Sequence, residues 1–221
     1  MLRYQGVIFD MDGVLCRTDR LHYRAWVRFT DKYGLPFSEE LHETMLGLGR
    51  EACMDTVLGE WGKRLTREEK DALILEKNDM FRELAQDLGP QDAAPGVRET
   101  LAALREIGLR LAIGSSSQNV PFVIGKLQLA PFFDAWVDGT QMEHCKPAPD
   151  IFLEAARRLS LPPKACLVVD DGVPGLEAAL RGGFAFAGIG PSAKDPRCSI
   201  RLACFSDLLK AVGQEEQDAG H

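Results

Sequence analysis

Apolar residues fall in two textures along this chain, and the change between them organises everything else. A short run, Val7-Ile8-Phe9, reads as a buried strand. From Thr18 to about Asp92 the apolar positions instead recur at intervals of three and four. Examples are Leu21, Ala25 and Phe29, then Leu73, Met80, Phe81 and Leu84. Thr66-Arg67-Glu68-Glu69 has the spacing of a capping box, and Gly47-Leu48-Gly49 interrupts the pattern with a turn. This stretch reads as a unit of about four helices. After Pro95-Gly96, short apolar runs alternate with helical stretches. Strands are predicted at 109–114, 135–137, 167–169 and 184–189, and helices at 120–127, 150–159 and 175–181.

Strand–helix alternation predicts a doubly wound, Rossmann-like parallel sheet covered by helices on both faces. The first strand then belongs with the second half of the chain. The expected organisation is an α/β core from residues 1–16 and 93–221, with an all-helical insertion at 17–92. Residues 214–221 lack apolar periodicity and are expected to be disordered.

Composition narrows the function classes. The 221 residues are 45% apolar and 27% charged, ordinary for a globular protein. With 26 Lys and Arg against 33 Asp and Glu, the net charge is −7. That balance argues against a nucleic-acid partner. No apolar run reaches the roughly 18 residues of a membrane span, and the N-terminus has no signal-peptide pattern. Six cysteines without a C-x-x-C pair read as reduced thiols in a cytoplasmic protein. No interface signature appears, so a monomer is expected.

Candidate chemistry sits where the predicted strands end, which is where parallel sheets bind ligands. Asp10 and Asp12 follow the first strand at a spacing that points both to one face, and Gly13 permits a turn. Ser115-Ser116-Ser117-Gln118-Asn119 offers hydroxyls and backbone N–H groups suited to an anion. Lys146 lies between Cys145 and Pro147 ahead of a helix. Asp170-Asp171-Gly172 adds two more carboxylates after an apolar strand. Four carboxylates at one mouth call for a divalent cation, and oxygen-only ligands favour Mg²⁺ over zinc.

The order Asp-x-Asp-Gly-Val, Ser, Lys-Pro, Asp-Asp resembles the haloacid dehalogenase superfamily, and the early helical insertion resembles its C1-type cap. The resemblance implies Asp10 as a nucleophile that becomes an aspartyl-phosphate, and Asp12 as general acid/base. Ser115 and Lys146 would bind the transferring phosphoryl group. Asp10, the backbone carbonyl of Asp12, Asp170 and Asp171 would surround Mg²⁺, with Asp171 the direct ligand of that last pair.

The insertion further resembles the β-phosphoglucomutase family. The residues that carry this are His22 and Ala25-Trp26, Gly47-x-Gly49-Arg50, and Lys77-Asn78. The implied reaction interconverts β-D-glucose 1-phosphate and D-glucose 6-phosphate through β-D-glucose 1,6-bisphosphate. Arg50 would hold the second phosphate, helped by Asn119 beside Ser116 and Ser117. His22 and Lys77 would position Asp12 and the substrate, and Trp26 and Gly47 would line the sugar site. Residues 16–18 and 92–95 would be the hinge. Leu46, Gly49, Gln118 and Cys16-Arg17 depart from the family pattern, which bears on the sugar more than on the reaction. A sugar-phosphate phosphatase of the same superfamily remains the alternative, with a catalytically silent binding protein as a third reading.

Overall fold

The computed structural model describes residues 2–45 and 48–213. Six parallel strands form one sheet: β1 (Gly6–Phe9), β2 (Arg110–Gly114), β3 (Ala135–Val137), β4 (Cys166–Asp170), β5 (Ala185–Ile189) and β6 (Ile200–Leu202). Their spatial order is β3-β2-β1-β4-β5-β6. β1 therefore lies at the centre, and the chain winds outward from it in both directions, as the strand–helix alternation predicts.

The two-residue period of β1 divides the core. Val7 and Phe9 face one side of the sheet and join a cluster with Val97, Leu101, Leu104 and Val123. Ile8 faces the other side and packs with Phe152, Ala155, Leu176 and Ala179. The first face is covered by α5 (Val97–Glu106) and α6 (Val120–Lys126), the second by α7 (Asp150–Arg158) and α8 (Val173–Arg181). A last short helix, α9 (Leu208–Val212), adds Leu208 and Val212 to the first face. Neither α5, β6 nor α9 was among the predicted elements.

Between β1 and β2 come four helices: α1 (Asp19–Tyr33), α2 (Glu39–Met45), α3 (Arg50–Gly62) and α4 (Arg67–Leu84). α1 packs on α4, with Ala25, Trp26 and Phe29 of one and Met80 and Phe81 of the other buried in one cluster. α4 begins with the predicted capping box. Thr66 Oγ1 accepts from the N–H of Glu69, and the Glu69 carboxylate accepts from the N–H of Thr66. α3 is broken near its end, where Gly59 takes φ +50°. Among the described residues no helix is long and apolar enough to cross a membrane. The expectation for 214–221 and that for Gly47 fall outside the described residues.

Candidate active site

The carboxyl ends of β1, β2 and β4 open on the cleft where the sheet reverses its winding order. Asp10 follows β1 directly, and its N–H donates to the Val169 carbonyl of β4 at 2.8 Å. Ser115 follows β2, pinned by its N–H to the Val137 carbonyl. Asp170 ends β4, and its carbonyl accepts from Ser192 Oγ at 2.6 Å. Lys146 comes from the long connection after β3. Three strand ends and one loop thus deliver their side chains to a single cavity of about 490 Å³.

Lys146 Nζ is the hub. It donates to Asp10 Oδ1 at 2.5 Å and to Asp170 Oδ2 at 2.8 Å, and it is only 4% exposed. Burial alone would depress its pKa, but the two carboxylates more than reverse this, so it stays an ammonium. Burial, helped by Asp170 and Asp12, pushes Asp10 up to about 7 against the pull of Lys146. Among the described residues only Oδ1 of Asp10 is hydrogen-bonded, which leaves Oδ2 a lone pair to use.

Asp12 is held differently. Its Oδ1 accepts from Thr18 Oγ1, and His22 Nε2 lies 3.9 Å away. Burial raises its pKa, which favours the protonated carboxyl. Behind it, His22 Nδ1 meets Lys77 Nζ at 2.9 Å, and the ring stacks on Phe81 at 4.0 Å. Lys77 Nζ lies over the Trp26 ring at 4.6 Å. Burial holds His22 well below its usual range, with the Lys77 charge adding to the effect. A neutral His22 accepts from Lys77 at Nδ1 and turns its Nε2–H toward Asp12. Burial also brings Lys77 down to about 8.

Two further residues line the cavity, Arg50 at the start of α3 and Ser116 in the loop after β2. Arg50 Nε and Ser116 Oγ are buried without a hydrogen-bond partner among the described residues. Two orphaned polar atoms in one cavity are costly unless something arrives to pair with them. Asn119 Nδ2 donates to Asn78 Oδ1 at 2.8 Å and joins that loop to α4.

The two aspartates at the end of β4 differ in what they leave free for a cation. Asp170 is already engaged, by Lys146 and by the N–H of Gly172 at 2.8 Å. Asp171 is not. Its carboxyl has no hydrogen-bond partner among the described residues, and burial, then Asp170 and Asp10, push it up to about 8. It lies against Gly13, whose φ of +80° and missing Cβ leave the space it occupies. Among the described residues no three His, Cys, Asp or Glu side chains make a ready ligand set. Two carboxylates, Asp10 and Asp171, with the Asp12 carbonyl need no third side chain. Such an all-oxygen set fits Mg²⁺.

The family model of haloacid dehalogenase-like hydrolases matches residues 4–183. The chain belongs to that family. Within it, the β-phosphoglucomutase of Bacillus subtilis is 33% identical over 96% of this chain and 95% of its own length. A phosphorylated carbohydrates phosphatase of Thermotoga maritima is 32% identical over 81% and 82%. A crystal structure of β-phosphoglucomutase from Clostridium difficile superposes with a TM-score of 0.87 at 26% identity, covering 93% of each chain. The chain is thus similar both to a mutase and to a phosphatase of this hydrolase family.

Of the residues expected from the sequence, Asp10, Asp12, His22, Trp26, Arg50, Lys77, Ser115, Ser116, Ser117, Asn119, Lys146, Asp170 and Asp171 all line the one cavity. Trp26 does so while almost wholly buried, so its contribution is the ring face under Lys77. Sequence reasoning did not assign Thr18 to Asp12. Nor did it find Met45, Cys53, Met54 and Ile74, which line the helical side of the cavity. An apolar residue at helical spacing carries no sign that its face meets a cavity instead of a neighbour.

Proposed function

We propose that this protein is a phosphomutase that interconverts β-D-glucose 1-phosphate and D-glucose 6-phosphate through β-D-glucose 1,6-bisphosphate. Asp10 Oδ2 attacks phosphorus while Lys146 holds Oδ1 and neutralises the phosphoryl oxygens. The phosphorus–oxygen bond to the sugar breaks, and Asp12 gives its proton to the departing oxygen. In the return half-reaction Asp12 takes the proton from the other sugar hydroxyl as it attacks the aspartyl-phosphate. Ser115 donates to the phosphoryl group. Bound Mg²⁺, held by Asp10, Asp171 and the Asp12 carbonyl, would offset charge on the transferring phosphoryl oxygens. Asp170 keeps Lys146 in place.

The reading rests chiefly on Arg50 Nε and Ser116 Oγ, buried and unpaired in the cavity that also holds Asp10. A phosphatase needs one phosphate site. A bisphosphate that turns end for end needs two, and a guanidinium with a hydroxyl beside Asn119 is suited to the second. In this proposal residues 17–92 are a cap that closes over a core made of 1–16 and 93–221, hinged at 16–18 and 92–95. Closure keeps water from the aspartyl-phosphate. Every group named lies on one chain, so a monomer suffices, and the cytoplasm is the expected compartment.

The similarity to the Thermotoga maritima phosphatase favours a second reading, hydrolysis of a sugar phosphate. Incubation with β-glucose 1-phosphate, Mg²⁺ and a trace of the bisphosphate separates the two. The mutase yields glucose 6-phosphate with little inorganic phosphate. Steady release of inorganic phosphate in step with substrate loss would overturn the mutase.

A further inference from the structure

Two arginines in the cavity wall have no part in the chemistry above. Arg17 and Arg20 line its mouth, and both are exposed. Neither makes an ion pair among the described residues. Elsewhere on the surface Arg28, Arg67, Arg105, Arg157, Arg181 and Arg197 are tied to carboxylates, whereas Arg24 and Arg64 also make no ion pair among the described residues but do not line the cavity. Asp19, which lies between the two in sequence and also lines the cavity, pairs with neither.

Their backbone is well anchored. Cys16, just before Arg17, is bridged to both Asp12 and Ala93. Thr18, just after it, is bonded to Asp12. Arg20 stands in the first turn of α1, two residues ahead of His22. The guanidinium groups therefore extend from the segment that holds the proposed acid, at the entrance to the site.

Charge explains why they would be left free. Five acidic and five basic residues line the cavity in a chain of net charge −7. Without Arg17 and Arg20 the lining would hold five carboxyl groups against three cations, Arg50, Lys77 and Lys146, and would draw an approaching phosphate dianion less strongly. Unpaired cations at the mouth of a low-dielectric cleft strengthen that pull. Guanidinium is also the side chain that grips a phosphate through two parallel hydrogen bonds.

We propose that Arg17 and Arg20 form a capture site for the phosphate dianion of the entering sugar phosphate, distinct from the groups that hold it during reaction. The assignment of a sugar phosphate as ligand rests on the proposed function; the capture of a phosphate dianion does not.

The test compares the protein with Arg17→Gln/Arg20→Gln and Arg17→Lys/Arg20→Lys. Between about 0.01 and 0.15 M salt the screening length falls from about 30 to about 8 Å. For β-glucose 1-phosphate, the Gln variant should lose about tenfold in kcat/KM at low salt and under about threefold at high salt, with kcat within about twofold. The Lys variant, which keeps both charges, should recover most of the loss. A kcat/KM with unchanged salt dependence in the Gln variant overturns the proposal. So does a loss carried in kcat, which would put the pair in the chemistry. Calorimetric binding of inorganic phosphate needs no turnover. At low salt the Gln variant should bind it about tenfold more weakly, and equal affinities overturn the capture site. If the unaltered protein binds phosphate in this way but turns over no glucose phosphate, the proposed function fails and the capture site stands.

Discussion

Gly175, in the first turn of α8, has no room for a side chain, because a Cβ there would collide with the carboxylate of Asp170. That carboxylate is one of the two anchors of Lys146. Gly175→Ala should therefore push Asp170 aside, lower kcat by about tenfold and cost about 1–3 kcal/mol of stability. If the effect passes through Asp170, the same change made in an Asp170→Ala background should do almost nothing to either quantity. Independent, multiplying losses in kcat and thermal midpoint would refute this coupling. Lys77 is a second case where position and charge conflict. It is 8% exposed, and burial brings it down to about 8 from the 10.4 of a free lysine. Between those values the unfolded chain binds the proton and the folded one does not, so this group makes stability rise with pH through that window. Below about 8 it carries a buried charge, only partly offset by the Trp26 ring. Lys77→Met should abolish turnover yet raise stability at pH 7 by about 2 kcal/mol, and the gain should shrink as pH rises towards 10. Thermal midpoints of both proteins across that range check it; a variant less stable at pH 7 would contradict it. Asp10, Asp12 and Asp171 were legible in the sequence because they come at or just after a strand's end, as polar residues behind an apolar run, whereas Lys146 was legible only through the order of the four motifs. Gly175 and Thr18 were not, since what each does depends on a carboxylate five or six residues away reaching it in space.

Among the elements, α4 shows how a local signal and a remote duty can share one helix. Its N-terminus is closed by the Thr66–Glu69 box, while Lys77 and Asn78 face the cavity three turns further on. Thr66→Ala should lower the unfolding free energy by about 1 kcal/mol, measured by urea titration, and leave kcat unchanged. A parallel fall in kcat would mean that fraying travels the length of the helix. The capping box was readable because all its partners lie within four residues. β1, β2 and β4 were readable because strands buried on both faces appear as unbroken apolar runs. α5 was passed over although Val97, Leu101 and Leu104 follow helical spacing, since it begins just after Pro95-Gly96, where the pattern changes period. β6 and α9 span three and five residues, too short for either period to declare itself. The break in α3 needed only Gly59 to take a positive φ, which a glycine permits without announcing.

For the molecule as a whole, the proposed function depends on how closely the four-helix segment approaches the sheet half. Beside the Arg82–Phe122 and Lys126–Gln86 contacts, two lie close to the cavity. Asn78 of α4 accepts from Asn119 of the loop after β2. Gly49, just before α3, faces Cys145, the neighbour of Lys146, so tightly that a Cβ would lie 2.7 Å from its Sγ. This second contact explains two sequence features together. Gly49 was noted as a departure from its family's pattern and Cys145 as one of several unassigned thiols. Neither reading could pair residues 96 positions apart. A methyl group at Gly49 must part the two surfaces or distort α3 at its start, where Arg50 points into the cavity. Gly49→Ala should therefore hold the proposed cap ajar. Water would then reach the aspartyl-phosphate, and the ratio of inorganic phosphate to glucose 6-phosphate should rise several-fold, with a higher KM. Cys145→Ala removes the atom in the way, so the double variant should return towards the original ratio. A single variant with unaltered product ratio would show that the seam has slack. A double variant as leaky as the single would place the fault in α3 itself, and the seam between Gly49 and Cys145 would no longer account for water exclusion.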